Sequence, residues 1–164
     1  MMKLLRHIAG TALSLGLCTG AVLAQSNGTT DLRSLDTENE ALVWQAIGRL
    51  DSAKGSYCTG TLIAPEIVLT AAHCVYDKKT NKMHDPELLQ FRAGLRDGIA
   101  IAERSVLQIA AHPGFNPRTA LNEDNIRHDV ALLRLEAPIV STDADPFVLH
   151  SGPASGSSVS VVSY

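Results

Sequence analysis

From Leu42 onward, apolar side chains recur in short runs broken by turn-forming clusters, with no sustained helical period. Val43–Leu50 is a first run and closes at Asp51-Ser52, with Gly55 nearby. Ser56–Ile63 follows, and Ala64-Pro65-Glu66 turns the chain into the compact run Ile67–Leu69. In Leu89–Leu95 the residues Leu89, Phe91, Ala93 and Leu95 alternate with Gln90, Arg92 and Gly94, the period-two signature of a half-buried strand. Asp97-Gly98 is a tight-hairpin signal leading into a longer run, Ile99–Ala111. A sixth run spans Asp129–Leu135. Short strands at hairpin spacing predict an all-β barrel or sandwich. The one helical piece expected in this region is a single turn at Ala71–Val75.

Between the runs lie two loops without apolar period, Asp77–Pro86 and Asn116–Arg127, long enough to be functional and not merely connecting. After Leu135 the pattern breaks at Ala137-Pro138. Residues 138–158 read as a linker with Pro146, Gly152, Pro153 and Gly156, and Val159–Tyr164 reads as the start of a new apolar strand.

The first residues follow a different rule. Lys3, Arg6 and His7 precede an apolar, small-residue stretch, Ile8–Leu17, and Val22-Leu23-Ala24 places small or apolar residues ahead of Gln25. This predicts a secretory signal peptide over residues 1–24 and a secreted or periplasmic destination. A membrane anchor needs about 20 predominantly apolar residues, and Gly10, Thr11, Ser14, Gly16, Thr19 and Gly20 dilute this stretch. No later run is long enough to span a bilayer. Cleavage after Ala24 leaves 12 basic against 17 acidic side chains, a formal charge of −5. That balance carries no basic patch of the kind a nucleic-acid surface shows. Polar, acidic residues 25–41 read as a flexible lead-in. Of three cysteines, Cys18 leaves with the signal. The remaining Cys58 and Cys74 in an exported chain are most simply one disulfide, free thiols being the other reading.

Two segments carry chemistry. Tyr57-Cys58-Thr59-Gly60-Thr61-Leu62-Ile63 leads to Val68-Leu69-Thr70-Ala71-Ala72-His73-Cys74, and His128-Asp129-Val130-Ala131-Leu132-Leu133 follows later. Together with Trp44-Gln45-Ala46-Ile47 and His112-Pro113-Gly114-Phe115-Asn116, in this order, they resemble the N-terminal half of the chymotrypsin/trypsin family of serine endopeptidases, in particular its exported bacterial members. The resemblance implies a six-stranded Greek-key barrel over residues 42–137, followed by the first strand of a second barrel. It implies peptide-bond hydrolysis by a Ser-His-Asp triad acting on protein or peptide substrates without a cofactor. His73 would be the general base, Asp129 its orienter, and Cys58–Cys74 a disulfide tying the histidine turn to the preceding strand.

The chain departs from the family pattern at two points. No basic residue followed by Ile-Val-Gly-Gly precedes Trp44; Arg33-Ser34-Leu35 is the nearest sequence. The Gly-Asp-Ser-Gly-Gly motif of the nucleophile is absent from the 164 residues, and Ser155 and Ser157 lie in the expected linker. The resemblance therefore implies the front part of a two-barrel enzyme, inactive without its missing second barrel. The alternatives are a non-catalytic single-barrel binding module and an inactive truncated product. Of the remaining polar groups, Asp77, His84, Asp85 and Glu87 lack the ligand spacing of a calcium motif and read as a solvated loop. His112 and His128 have neither an H-x-x-x-H spacing nor a cysteine partner and read as surface or capping residues.

Overall fold

The computed structural model describes residues 34–35, 37–119, 122–152 and 154–164. The expected signal peptide and its cleavage site lie outside the described residues. Six strands, β1 (Ile47–Ser52), β2 (Tyr57–Ala64), β3 (Ile67–Thr70), β4 (Leu89–Ala93), β5 (Ala102–Ala111) and β6 (Ala131–Leu135), close into one barrel in the order β1-β2-β3-β6-β5-β4. Every pairing is antiparallel. Closure leaves no sheet edge within the barrel.

Alternation along the strands builds the core. Leu89, Phe91 and Ala93 of β4 point inward, as do Ala131, Leu133 and Leu135 of β6. Leu50, Leu62, Val68, Val75 and Val106 complete the packing, all nearly inaccessible. Phe91 fills the centre because two facing positions are glycine. A Cβ on Gly48 would come within 2.5 Å of Phe91, and one on Gly60 within 2.7 Å of Val68 Cγ1. The ring occupies the space those side chains would have taken.

Several boundaries differ from the sequence expectation, each for a local reason. The run Val43–Leu50 enters β1 only at Ile47, because Trp44 N–H bonds to Ala41 C=O and Ile47 N–H to Trp44 C=O, two successive turns. At the end of the expected flexible lead-in, 25–41, the chain forms helix α1 (Glu38–Leu42), which runs one residue beyond it. Thr37 and Glu40 close a reciprocal capping box at its start. The run Ile99–Ala111 loses its first three residues to a hairpin in which Arg96 and Ile99 exchange two 2.8 Å backbone bonds. Asp97 (φ 50°) and Gly98 (φ 81°) occupy the two left-handed positions of that turn. Within the loop expected at 116–127, Asn122 caps helix α2 (Glu123–Arg127) by accepting from Asn125 N–H.

Beyond β6 the chain stays on the barrel for a further stretch. Ile139 and Ala144 are fully buried, and Ile139 N–H and Phe147 N–H bond to Pro65 C=O and Leu62 C=O. Phe147 also meets Trp44 edge-on at 6.0 Å. Val148 and Leu149 then stand out in solvent. Residues 159–164 have no ladder partner among the described residues. Tyr164 nevertheless returns to the barrel, donating its N–H to Thr59 Oγ1 and its hydroxyl to Leu95 C=O.

Candidate active site

His73 stands on a 3-10 turn, Ala72–Val75, directly after β3. Three ties hold that turn. Thr70, buried at the end of β3, donates its hydroxyl to Thr59 C=O on β2 at 2.8 Å. Cys74 N–H bonds to Ala71 C=O. The Cys58–Cys74 disulfide, with Cα atoms 6.1 Å apart, links the turn to β2 and bears out that pairing. Cross-linking residues 16 apart restricts the unfolded chain as well as the turn.

Asp129 approaches from the neighbouring strand, since β6 pairs with β3 and sets Ala131 opposite Thr70. The chain leaves α2 through consecutive backbone bonds, His128 N–H to Asn125 C=O and Asp129 N–H to Ile126 C=O, and joins β6 only at Ala131. The strand expected from Asp129 therefore starts two residues later. The difference is functional in form: off the strand, the Asp129 carboxylate is free to turn back on His73. Its Oδ1 accepts the His73 backbone N–H at 2.8 Å, and its Oδ2 lies 2.7 Å from His73 Nδ1. The fold thus brings together two residues 56 apart in sequence.

The chemistry of the pair follows from its donors and acceptors. An ionised carboxylate accepts only, so Nδ1 carries the proton of the neutral imidazole and Nε2 presents a lone pair. Asp129 is 14 % exposed in its side chain and His73 47 %, so the orienting group is sheltered while the imidazole opens to solvent. A ring with a fixed tautomer and a free Nε2 is able to take a proton from a nearby hydroxyl and give it back. Ser155 and Ser157 do not hydrogen-bond His73; both are exposed, and Ser157 N–H bonds to Ala154 C=O.

Several supporting residues carried no sequence signal. Buried Asn125 accepts from Asn116 N–H and donates to Asn116 and Thr119 carbonyls, pinning the loop that presents Asp129. The cap pattern of Asn122 before two acidic residues marks this helix in retrospect. His112 and His128 stack at 4.7 Å, and Gly114 N–H donates to His112 Nδ1. They pack on each other across the Asp129 loop, in line with a structural part. His84, expected in a solvated loop, is instead 7 % exposed, because the 77–84 segment folds back onto the histidine turn. Asp77 does sit in a turn, where the Lys54 ammonium 2.6 Å away and the Thr80 and Lys79 N–H groups hold its carboxyl well below the usual range.

An open depression of about 390 Å³ beside His73 is lined by the disulfide, Tyr57, Tyr76, Asp77 and His84, among others. Among the described residues one group of three metal-ligating types lies close together, Cys58, His73 and Cys74. Its two sulfurs are joined in the disulfide, so no thiolate is available to a metal. No helix among the described residues is long and apolar enough to cross a membrane.

The chain is similar to known proteins. The Trypsin family model matches residues 36–164. The chain is 35 % identical over 115 residues to the CLIP domain-containing serine protease HP8 of Bombyx mori, covering 62 % of this chain and 30 % of that protein. It is 29 % identical over 139 residues to a trypsin of Sarcophaga bullata, covering 83 % of this chain and 48 % of that one. A solved Glu endopeptidase in complex with MPD superposes with a TM-score of 0.53 at 24 % identity, over 66 % of this chain and 47 % of that one, a likeness of fold. The chain spans less than half the length of each of these proteins. With a closed antiparallel six-stranded barrel and a family match over most of its length, the chain belongs to the trypsin family of serine proteases.

Proposed function

We propose that this chain supplies the base-bearing half of a secreted serine endopeptidase. His73 acts first as general base and then as general acid, and Asp129 fixes its tautomer and stabilises its protonated form. The nucleophilic serine, the oxyanion donors and the primary specificity pocket lie outside these 164 residues, on a second barrel that closes the cleft over His73. Substrates are proteins or peptides, and no cofactor takes part. Export with cleavage after Ala24 delivers the chain to an oxidising compartment, consistent with the Cys58–Cys74 bond. The observation that carries this reading is the double hold of Asp129 on His73, through Oδ2 to Nδ1 and through Oδ1 to the backbone N–H.

Fluorophosphonate labelling tests it. The native product, captured from the culture medium of the producing organism with an antibody against the barrel, is expected to label at a serine beyond residue 164. The 164-residue chain expressed alone is expected to remain unlabelled, because the parts of a triad act as a unit. A native product that is no longer than this chain and takes no label contradicts the enzyme reading. It leaves instead the two non-catalytic readings, a single-barrel binding module or an inactive truncated product.

A further inference from the structure

The 77–84 loop returns to the histidine turn through a short ladder. Tyr76 and Met83 form an antiparallel bridge, Asp77 N–H bonds to Lys82 C=O, and His84 N–H bonds to Val75 C=O at 2.9 Å. Val75 is the last residue of the turn that carries His73. His84 is the residue on which this return ends. Its ring is buried, and among the described residues its Nδ1 has no hydrogen-bond partner.

That unpartnered nitrogen decides the charge state the seat tolerates. An unmatched lone pair costs less in a buried site than an unmatched N–H, so the neutral ring carries its proton on Nε2. Protonation then falls on Nδ1, placing a donor and a positive charge where no acceptor stands among the described residues. The surroundings do not compensate. The carboxylate of Asp77 is already satisfied by Lys54 Nζ at 2.6 Å and by the Lys79 and Thr80 N–H groups. Asp85 is the other acidic group acting on the ring, and the Lys54 ammonium opposes it. The depression lined by His84 also receives Lys78, Lys79 and His73, further cationic or protonatable groups. Burial first, and Lys54 second, hold the imidazole below its ordinary value of 6.5, while Asp77 and Asp85 act the other way.

We propose that His84 is an acid-released latch: neutral, it seals the 77–84 loop against the turn that carries His73, and protonated, it leaves its seat and frees the loop. The sign follows from linkage. The released ring binds a proton more readily than the seated one, so the latch holds above about pH 6.5 and opens progressively as the pH falls below it. One proton sets the limit, an opening constant that rises at most about tenfold per pH unit. Release removes one wall of the depression beside His73 and frees the Val75 carbonyl next to it. His84 is thus a positioning residue for His73. Only this consequence for catalysis rests on the endopeptidase reading; the latch itself is a property of the barrel.

Amide hydrogen exchange followed by NMR on the full chain tests it without any peptidase assay. Protection factors corrected for intrinsic exchange are compared between pH 7.5 and 4.5 for the N–H groups of His84, Asp77 and Asn81. Gly94, bonded to Ile47 C=O in the barrel, is the reference. The three loop amides are expected to lose protection relative to Gly94 as the pH falls, by no more than about tenfold per pH unit, and His84→Gln is expected to abolish the pH dependence of that loss. Should the variant not fold, the His84 Cε1 proton of the wild-type chain serves alone. It is expected to titrate below 6.5, in step with shifts of the same amides. Loop protection that tracks Gly94 throughout, a loss that survives in His84→Gln, or an ordinary titration near 6.5 with unmoved loop amides overturns the proposal.

Discussion

Replacing Asp129 by asparagine separates the charge of the orienting group from its shape. The aspartate makes two contacts with His73, 2.8 Å to the backbone N–H and 2.7 Å to Nδ1. An asparagine that keeps its oxygen on the backbone N–H presents its NH₂ to Nδ1, so the ring must accept there. The imidazole proton then moves to Nε2. The flipped amide leaves two donors facing each other and forfeits a bond worth about 1 kcal/mol. Charge-assisted bonds contribute about 1 kcal/mol more than neutral ones. Half of the His73 side chain is in water, so the two contacts together lose about 1–2 kcal/mol of stability, less than a buried pair would. The tautomer preference itself exceeds about 1.4 kcal/mol, tenfold in population, once donor–donor repulsion is added. Long-range ¹⁵N–¹H correlation on His73, at a pH where the ring is neutral, reads the outcome directly. Wild type is expected as Nδ1–H and Asp129→Asn as Nε2–H. In the complete enzyme the same change is expected to cost about 10⁴-fold in kcat, because Nε2 then has no lone pair for the nucleophile's proton. An Nδ1–H tautomer that persists in the variant, or a wild-type ring already protonated at Nε2, refutes the orienter argument.

Three other outcomes follow from the same structure. In the chain from Gln25 onward, Cys58→Ala/Cys74→Ala is expected to cost about 3 kcal/mol in denaturant unfolding, with no alkylatable thiol in the unreduced parent; two reactive thiols there contradict it. Gly60→Ala drives a methyl to 2.7 Å from Val68 Cγ1 and 3.2 Å from Phe91, and is expected to destabilise by about 1–3 kcal/mol. A change below about 0.5 kcal/mol shows that the core has slack the structure does not display. The Asp77 carboxyl, held below its ordinary 3.8 first by Lys54 and then by backbone N–H groups, stabilises the fold fully above that value and progressively less as the pH falls through it. Asp77→Asn is therefore expected to flatten the acid limb of stability against pH below about 4, and an unchanged acid limb removes Asp77 from that account.

The barrel was legible wherever burial imposes a period of two. Leu89, Phe91 and Ala93 announce β4 because each second side chain must enter a core that excludes water, and Asp97-Gly98 announces its hairpin because few other pairs tolerate two left-handed residues. The candidate site was legible because His73 and Cys74 sit together in a string that resembles the family's. What sequence did not carry is the short polar structure that presents Asp129. Asn125 works through hydrogen bonds to a loop nine residues away, a pattern without periodicity. The α1 helix was signalled by Thr37 and Glu40, but five residues are too few for a hydrophobic face to stand out. His84 reads as a loop residue among charges, and only the return of the loop onto Val75 makes it interior.

Mutant kinetics on the native gene product decide whether His73 and Asp129 work as base and orienter of one triad. His73→Ala, Asp129→Ala and the double variant are compared by kcat on a peptide substrate. Members of one triad act together, so His73→Ala is expected to lose about 10⁴-fold or more, Asp129→Ala somewhat less, and the double variant no more than His73→Ala alone. Activity within about tenfold of wild type in His73→Ala, or losses that multiply fully in the double variant, contradicts the account.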